Sequence, residues 1–257
     1  MPSPAKPVLA VPIEGLRIDM TEASAYPRLL EVMFELADLA HAQALMGWDQ
    51  ETYMPPKGAQ MRARSIGTLV GIHHDRLTAQ SVVDLVEELK QADLTGDAAA
   101  NLRELDREQA RALKIPRELV VELSETASLG HEAWVQARAE DAFSHYQPWL
   151  EKMLRLKKRL AEIVGFEGSI YNALLDEYEP YATAEEIAPV FAELRRHLVR
   201  MVERIAAAER PLLKALERPF PVAQQEQFGR RIMEEMGFDP EAGRLDISVH
   251  PFCSGIG

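Results

Sequence analysis

The protein has 257 residues and a mass of 28.9 kDa, with 47% hydrophobic and 27% charged residues, as is typical of a globular protein. Its 29 Lys and Arg against 41 Asp and Glu give a net charge of −12, which argues against nucleic-acid partners because backbone binding needs clustered cations. The single cysteine, Cys253, excludes an internal disulfide, and no apolar run is long enough to predict a membrane span.

The N-terminal segment is rich in proline. Four of the 16 prolines lie within residues 2–12, and they interrupt the only short apolar stretch there. We therefore predict a loose arm over residues 1–22, followed by one helical domain over 23–257. Because a secretory signal needs a continuous apolar segment, we expect a cytoplasmic protein.

Helical periodicity dominates the first half of the chain. Leu29, Met33, Leu36 and Ala40 share one face and predict a helix over 24–48, which ends before two consecutive prolines. A second helix is expected to start near Gly58, to break near 73–78 and to resume as far as 89. After a turn at 95–97, a polar helix is predicted to continue to about 113.

The second half continues the helical pattern and adds one strand. Pro116 is predicted to open a helix to about 143, and Pro148 another that ends near Gly165. Thr183 and Glu186 form a capping box. The apolar stripe behind it comprises Ile187, Phe191, Leu194, Leu198, Met201 and Ile205. A helix over 224–237 and a short strand over 244–249 complete a mainly α fold, and the lack of β-α-β alternation excludes a doubly wound sheet.

The histidines do not form a metal motif. They are His41, His73, His74, His131, His145, His197 and His250. His131 begins a His-Glu-x-x-Val sequence, in which valine replaces the second zinc ligand, while His73 and His74 diverge around a helix. Cys253 and His250 lie close in sequence, which alone does not make a catalytic pair. A metal site from a new combination of histidines remains an alternative that metal analysis would test.

Two clusters of carboxylates could carry chemistry. Asp176, Glu177 and Glu179 surround Tyr178, and the simplest interpretation is a solvated acidic turn. Asp49 and Glu51 lie beside Trp48 and Tyr53, ahead of two prolines. Periodicity alone leaves open whether this second cluster packs, caps a helix or binds a ligand.

Three segments in chain order resemble the thermostable (Taq-type) carboxypeptidases, a family of zinc metallocarboxypeptidases. The segments are Leu45–Ala59 (LMGWDQETYMPPKGA), Tyr171–Pro180 (YNALLDEYEP) and Asp246–Phe252 (DISVHPF). The resemblance covers residues 24–257. It implies a cleft-shaped zinc-peptidase fold, removal of C-terminal residues from peptides, and the homodimers common in the family.

The chain departs from the family in the residues that perform the chemistry. Family members are about twice as long and carry an Asp-x-Arg-x-Thr motif, a His-Glu-x-x-His motif and a further glutamate ligand after the His-Pro-Phe motif. None of these is present here. We therefore expect the N-terminal half of such an enzyme, truncated before the zinc motif and inactive in this form. We predict no catalytic residue, metal ligand or cofactor for this chain, and zinc or a similar divalent metal in an intact member.

The resemblance also suggests roles for individual residues. His250, Pro251 and Phe252 would lie near the groove and contact substrate, or His250 would anchor the turn after the strand. Structural roles are implied for Trp48, Asp49, Glu51, Tyr53, Asp176, Glu177, Tyr178 and Glu179. Expected partners are peptide C-termini in an intact member and a second copy of the chain, in a homodimer or larger assembly. The alternative function is a standalone helical binding or regulatory module that associates with a full-length relative or with itself.

Overall fold

The computed structural model describes residues 25–208 and 218–248, and every regular element within these ranges is helical. The α-helices are α1 (Ala25–Thr52), α2 (Ala59–Leu77), α3 (Gln80–Lys90), α4 (Gly96–Ala112), α5 (Arg117–Ala139), α6 (Phe143–Val164), α7 (Asn172–Leu175), α8 (Ala184–Ala207) and α9 (Val222–Glu235). A 3-10 turn, Pro56–Gly58, precedes α2. The mainly α fold is confirmed. The predicted arm over 1–22 lies outside the described residues.

The described chain belongs to two compact units. Residues 25–194 and 248 lie in one unit, and residues 195–208 and 218–247 lie in the other. No helix within the described ranges is both long enough and apolar enough to cross a membrane.

The main core of the larger unit lies among α1, α2, α3 and α4. Helix α3 contributes four side chains with relative exposures of 1–3%: Val82, Leu85, Val86 and Leu89. They pack with Leu29, Val32 and Leu36 of α1, Leu77 of α2, and Leu102, Leu105 and Ala112 of α4. A helix that is apolar on one face gains its stability from this kind of burial rather than from intrinsic propensity.

Helix α2 presents small residues at four-residue intervals. Ala59, Ala63, Gly67 and Gly71 are all buried on one face. A Cβ atom added at Gly67 would lie 2.9 Å from Cγ of Glu125 in α5, which shows how closely the two helices approach. A second apolar cluster, formed by Leu119, Leu156 and Leu160, joins α5 to α6.

Three details of the sequence prediction are wrong. The break after α2 falls at 78–79 rather than 73–78, because Leu77 is buried and extends the apolar face. Pro148 lies inside α6 as its sixth residue, so the helix starts at Phe143 and continues through the proline although the Ser144 carbonyl receives no backbone hydrogen bond from position 148. Residues 244–248 form no strand, since no other strand within the described ranges could pair with them. Val249 lies outside those ranges.

Helix α8 begins at the predicted capping box. The Glu186 N–H donates to Thr183 Oγ1 at 3.2 Å, and the Thr183 N–H donates to Glu186 Oε2 at 3.1 Å. Asn172 adds a contact, because its Oδ1 accepts from the Ala184 N–H at 2.8 Å. Despite this well-defined start, no residue of α8 is buried, and the same is true of α9.

Candidate functional site

Residues Trp48 to Tyr53, within the first family-like segment, form the last turn of α1 and the start of the connection that follows it. The Thr52 hydroxyl donates to the Trp48 carbonyl at 2.7 Å. The Asp49 carbonyl accepts from the backbone N–H groups of Tyr53 and Met54, at 3.0 and 2.8 Å. The rings of Trp48 and Tyr53 lie 5.6 Å apart. These bonds end the helix and set the direction of the chain toward the 3-10 turn.

The side chains of this turn connect α1 to α2. The carboxylate of Asp49 pairs with the guanidinium of Arg62, an α2 residue. The same guanidinium donates from Nη1 to the carbonyl of Met46 at 2.5 Å. Arg62 therefore binds both a side chain and a backbone carbonyl in the last two turns of α1, where a cation is also favoured by the helix dipole.

Two neighbouring residues connect the same turn to α5. The Gln50 side-chain amide donates to the Ser128 carbonyl at 2.9 Å, and the Ser128 hydroxyl donates to Gln50 Oε1 at 2.9 Å. Glu51 Oε1 lies 3.0 Å from His131 Nε2, and the His131 Nδ1 atom is buried without a hydrogen-bond partner. Of the open choices for this cluster, the geometry fits packing between helices. A role in ligand binding stays untested.

The acidic segment after α7 is tied to two arginines of α4. The Arg107 Nη2 group donates to the Asp176 carbonyl at 2.6 Å and lies 3.3 Å from its carboxylate. Arg111 pairs with Glu177 at 2.8 Å. The Asp176 and Glu177 side chains are 33% and 27% exposed, so the acidic turn is only partly solvated at these two residues and its carboxylates pair with the arginines. Tyr178 and Glu179 are exposed.

A shallow cavity of about 330 Å³ lies beside this segment. Its lining includes Arg103, Arg107, Arg111 and Lys114 against only two carboxylates, those of Asp106 and Asp176. The Arg107 guanidinium carbon lies 5.7 Å from the centre of the Tyr181 ring, and its Nε atom is buried without a hydrogen-bond partner. The arrangement is electropositive, but internal ion pairs already occupy Arg107 and Arg111.

The described residues do not fit a catalytic metal. No group of three His, Cys, Asp or Glu side chains within 25–208 and 218–248 could hold a metal ion. His74 Nε2 instead faces the carbonyls of Ala112 and Ile115, at 3.2 and 2.9 Å. Burial lowers the pKa of the neighbouring His73 below its usual value. His250, Pro251, Phe252 and Cys253 lie outside the described residues, so their predicted positions stay predictions.

Several residues that organise these segments were not found from sequence. Arg107 and Arg111 are four residues apart and so share a face of α4, a spacing that could have identified them. Asn172 lies within the second family-like segment, and its amide donates to the Glu167 carbonyl and the Glu185 carboxylate, both at 2.9 Å. No local pattern indicated the partners of Arg62 or Gln50, since both contacts join distant parts of the chain.

Comparisons with known proteins agree with the fold. The family model of the carboxypeptidase Taq (M32) metallopeptidases matches residues 28–257. Thermostable carboxypeptidase 1 of Thermus thermophilus is 38% identical over 252 residues, which cover 93% of this chain and 49% of that enzyme.

Solved structures give the same result. The crystal structure of BsuCP superposes with a TM-score of 0.86 at 28% identity, over 90% of this chain and 47% of that one. The M32 carboxypeptidase of Deinococcus radiodurans superposes with a TM-score of 0.75 at 33% identity, over 91% and 47% of the two chains. The chain spans about half the length of the curated relatives it matches. It belongs to the carboxypeptidase Taq (M32) family of metallopeptidases.

Proposed function

We propose that these 257 residues supply the N-terminal helical part of a metallocarboxypeptidase that removes C-terminal residues from peptides. The single observation that carries the proposal is the family match, which extends over nearly all of the chain but only half of the relatives. In this role the helices wall the substrate groove, and His250, Pro251 and Phe252 contact substrate. The residues of the two family-like segments have structural roles and hold neighbouring helices together. They are Trp48, Asp49, Glu51, Tyr53, Asp176, Glu177, Tyr178 and Glu179.

The proposal includes inactivity of the 257 residues by themselves. Peptide hydrolysis by a metallopeptidase needs a metal-activated water, and the sequence contains no His-Glu-x-x-His motif to bind that metal. Zinc is the metal we propose for the assembled enzyme, and the cytoplasm is its proposed location. We derive no proton transfer from the residues of this chain.

The test is an assay of the purified chain with peptides of defined C-terminus. Zn²⁺, Co²⁺ or Mn²⁺ is added in turn, and released amino acids are quantified, with a chelator-treated sample as the control. We expect release no faster than in the chelated control and less than 0.1 equivalent of tightly bound metal by elemental analysis. Metal-dependent release of C-terminal residues would contradict the inactivity, and so would stoichiometric metal.

A second candidate is the standalone binding module, which the exposed apolar side chains of α8 favour. In that case the chain binds a full-length relative or itself, as a homodimer or larger assembly. Size-exclusion chromatography with light scattering, alone and with the full-length Thermus thermophilus enzyme, tests this candidate. A monomer that leaves the elution of the enzyme unchanged would exclude it.

A further inference from the structure

Helix α4 and the residues just after it carry four cations along one side. Arg103, Arg107 and Arg111 recur at intervals of four residues, and Lys114 follows three positions after the last of them. Residues at these intervals are neighbours on a helix surface, so their like charges repel one another and destabilise the helix. All four residues line the shallow cavity of about 330 Å³ beside Asp176. We call Arg103, Arg107, Arg111 and Lys114 the basic row.

The Asp176 carboxylate is shared among three donors. Its Oδ1 atom accepts from the Tyr181 N–H at 3.0 Å, and its Oδ2 atom lies 3.3 Å from Arg107 and 3.9 Å from Arg111. A close arginine–carboxylate pair has nitrogen–oxygen distances of about 2.7–2.9 Å, so both of these ion pairs are loose. This one carboxylate therefore compensates the two guanidinium groups only in part.

Two further carboxylates lie beside the row. Glu177 pairs with Arg111 at 2.8 Å, and it also pairs with Lys157 at 3.3 Å. Asp106 lines the cavity and pairs with Lys90 at 3.2 Å. Each of these carboxylates is therefore bound by a cation outside the row, which lowers the negative charge that it contributes to the cavity.

The other groups of the row have weaker partners. Arg103 pairs with its sequence neighbour Glu104, but the two side chains are 65% and 61% exposed, so water screens their attraction. Lys114 donates to the neutral carbonyl of Val164 at 3.1 Å. The Nε atom of Arg107 is buried without a hydrogen-bond partner, although buried donors are normally satisfied by the protein, by water or by an ion. The row therefore retains positive charge and donor capacity, in a chain whose net charge is −12.

Tyr181 lines the same cavity in a backbone conformation that is rare for its residue type. Its φ angle is 68°, in the left-handed region that residues other than glycine seldom occupy. Its ring lies 5.7 Å from the guanidinium carbon of Arg107 and is largely exposed, which places aromatic surface beside the cations. Strained backbone of this kind is concentrated at sites that bind ligands.

We propose that the basic row and Tyr181 form a binding site for a phosphate group, carried either by the free ion or by a phosphate monoester. A phosphate group carries up to two negative charges and three acceptor oxygens, whereas a carboxylate carries one charge. Guanidinium groups match pairs of phosphate oxygens, and a lysine adds a point charge. The phosphate would supply the negative charge that the neighbouring carboxylates leave uncompensated. The site does not depend on the peptidase function proposed above.

The experiment is isothermal titration calorimetry of the full chain with inorganic phosphate, at an ionic strength kept constant with sodium chloride. The cavity variant is Arg103→Gln with Lys114→Gln, chosen because neither side chain binds the acidic segment after α7. The matched control is Arg28→Gln with Lys57→Gln, which removes the same charge at two exposed residues outside the cavity lining. Circular dichroism checks that both variants keep the helical content of the parent chain.

We expect the parent chain to bind one phosphate, and the cavity variant to bind it about tenfold more weakly, as the loss of charge-assisted hydrogen bonds predicts. The control should change the affinity by less than about twofold, because salt screens distant charges. No saturable binding of millimolar phosphate by the parent chain would overturn the proposal. Equal weakening in the two variants would also overturn it, since only the net charge would then matter.

Phenyl phosphate, titrated in parallel, distinguishes the two sources of the phosphate group. Tighter binding than that of inorganic phosphate, lost in a Tyr181→Leu variant, would assign the site to a phosphate monoester with an aromatic group beside Tyr181. Binding no tighter than that of inorganic phosphate would assign the site to the free ion. Tighter binding that Tyr181→Leu leaves unchanged would overturn the assignment of Tyr181 to the site.

Discussion

Helices α3 and α8 have similar amphipathic sequences and very different surroundings. The apolar face of α3 is buried against α1 and α4, whereas α8 has no buried residue. An amphipathic sequence therefore predicts that one face of a helix is covered, but it does not show which part of a protein covers it. In α3 the partner is elsewhere in the same chain, whereas none of the described helices buries the apolar face of α8.

A matched pair of side-chain truncations tests the difference in burial between α3 and α8. Leu85→Ala in α3 should lower the free energy of unfolding by about 2–5 kcal/mol, because it leaves a cavity at a side chain that is 3% exposed. Leu198→Ala in α8 should change it by less than about 0.5 kcal/mol, since that side chain is 42% exposed. Urea denaturation followed by circular dichroism measures both. Equal losses would show that the apolar face of α8 is already packed in solution.

A second pair tests the close approach of α2 and α5. Gly67→Val should destabilise the chain by about 1–3 kcal/mol, because its Cβ would lie 2.9 Å from Glu125 Cγ and 3.3 Å from Val121 Cγ1. Gly47→Ala is the control, as a Cβ there meets nothing within 4 Å and alanine favours the helix by up to about 1 kcal/mol. Thermal unfolding compares the stability of the two variants. A neutral Gly67→Val variant would contradict the close packing.

A third pair concerns the start of α8. Asn172→Ala removes three hydrogen bonds, including the one that satisfies the Ala184 N–H, and should cost about 1–2 kcal/mol. Asn101→Ala, which removes one bond to the Tyr26 hydroxyl, should cost less. Hydrogen exchange at the first turn of α8 should accelerate only in the Asn172 variant. Unchanged hydrogen exchange in the Asn172 variant would show that Asn172 does not stabilise the first turn of α8.

The smallest expected effect is a pH dependence inside the larger unit. Burial lowers the pKa of His73 in the folded chain; Glu108 raises it and His74 lowers it, both more weakly than burial. Because the unfolded chain then binds this proton more readily, stability should fall as the pH decreases from above 6.5 toward the folded pKa. His73→Gln should flatten that part of the profile. A profile of denaturation midpoints from pH 8 to 5 measures this, and identical slopes would contradict it.

Much of the fold was predictable from sequence, because helix boundaries depend on local chemistry. The structure confirms the Thr183–Glu186 capping box. On the predicted apolar face of α1, Leu29 and Leu36 are buried, whereas Ala40 is exposed. Pro148 is a prediction that is wrong, because proline favours the first turn of a helix and this one lies within α6. The predicted strand near 244–249 is wrong over its described residues, because an alternating apolar and polar sequence does not by itself supply a second strand to pair with.

The candidate site was predictable only in part. The resemblance identified Asp49, Glu51, Asp176 and Glu177, whereas their partners Arg62, His131, Arg107 and Arg111 came only from the fold. These pairs join residues that are 13 to 80 positions apart, so no local pattern could reveal them. Those partners determine the role of the carboxylates, because each ion pair holds its carboxylate at a contact between two segments of the chain.

The central claim is that the chain provides one half of a metallocarboxypeptidase. The most direct measurement compares metal-dependent release of C-terminal amino acids by the pure chain, by the unmatched half of the Thermus thermophilus enzyme, and by their co-expressed complex at equal concentration. We predict release by the complex alone, abolished by a chelator. Release by the chain alone, or none by a complex formed at a 1:1 ratio, would contradict the claim.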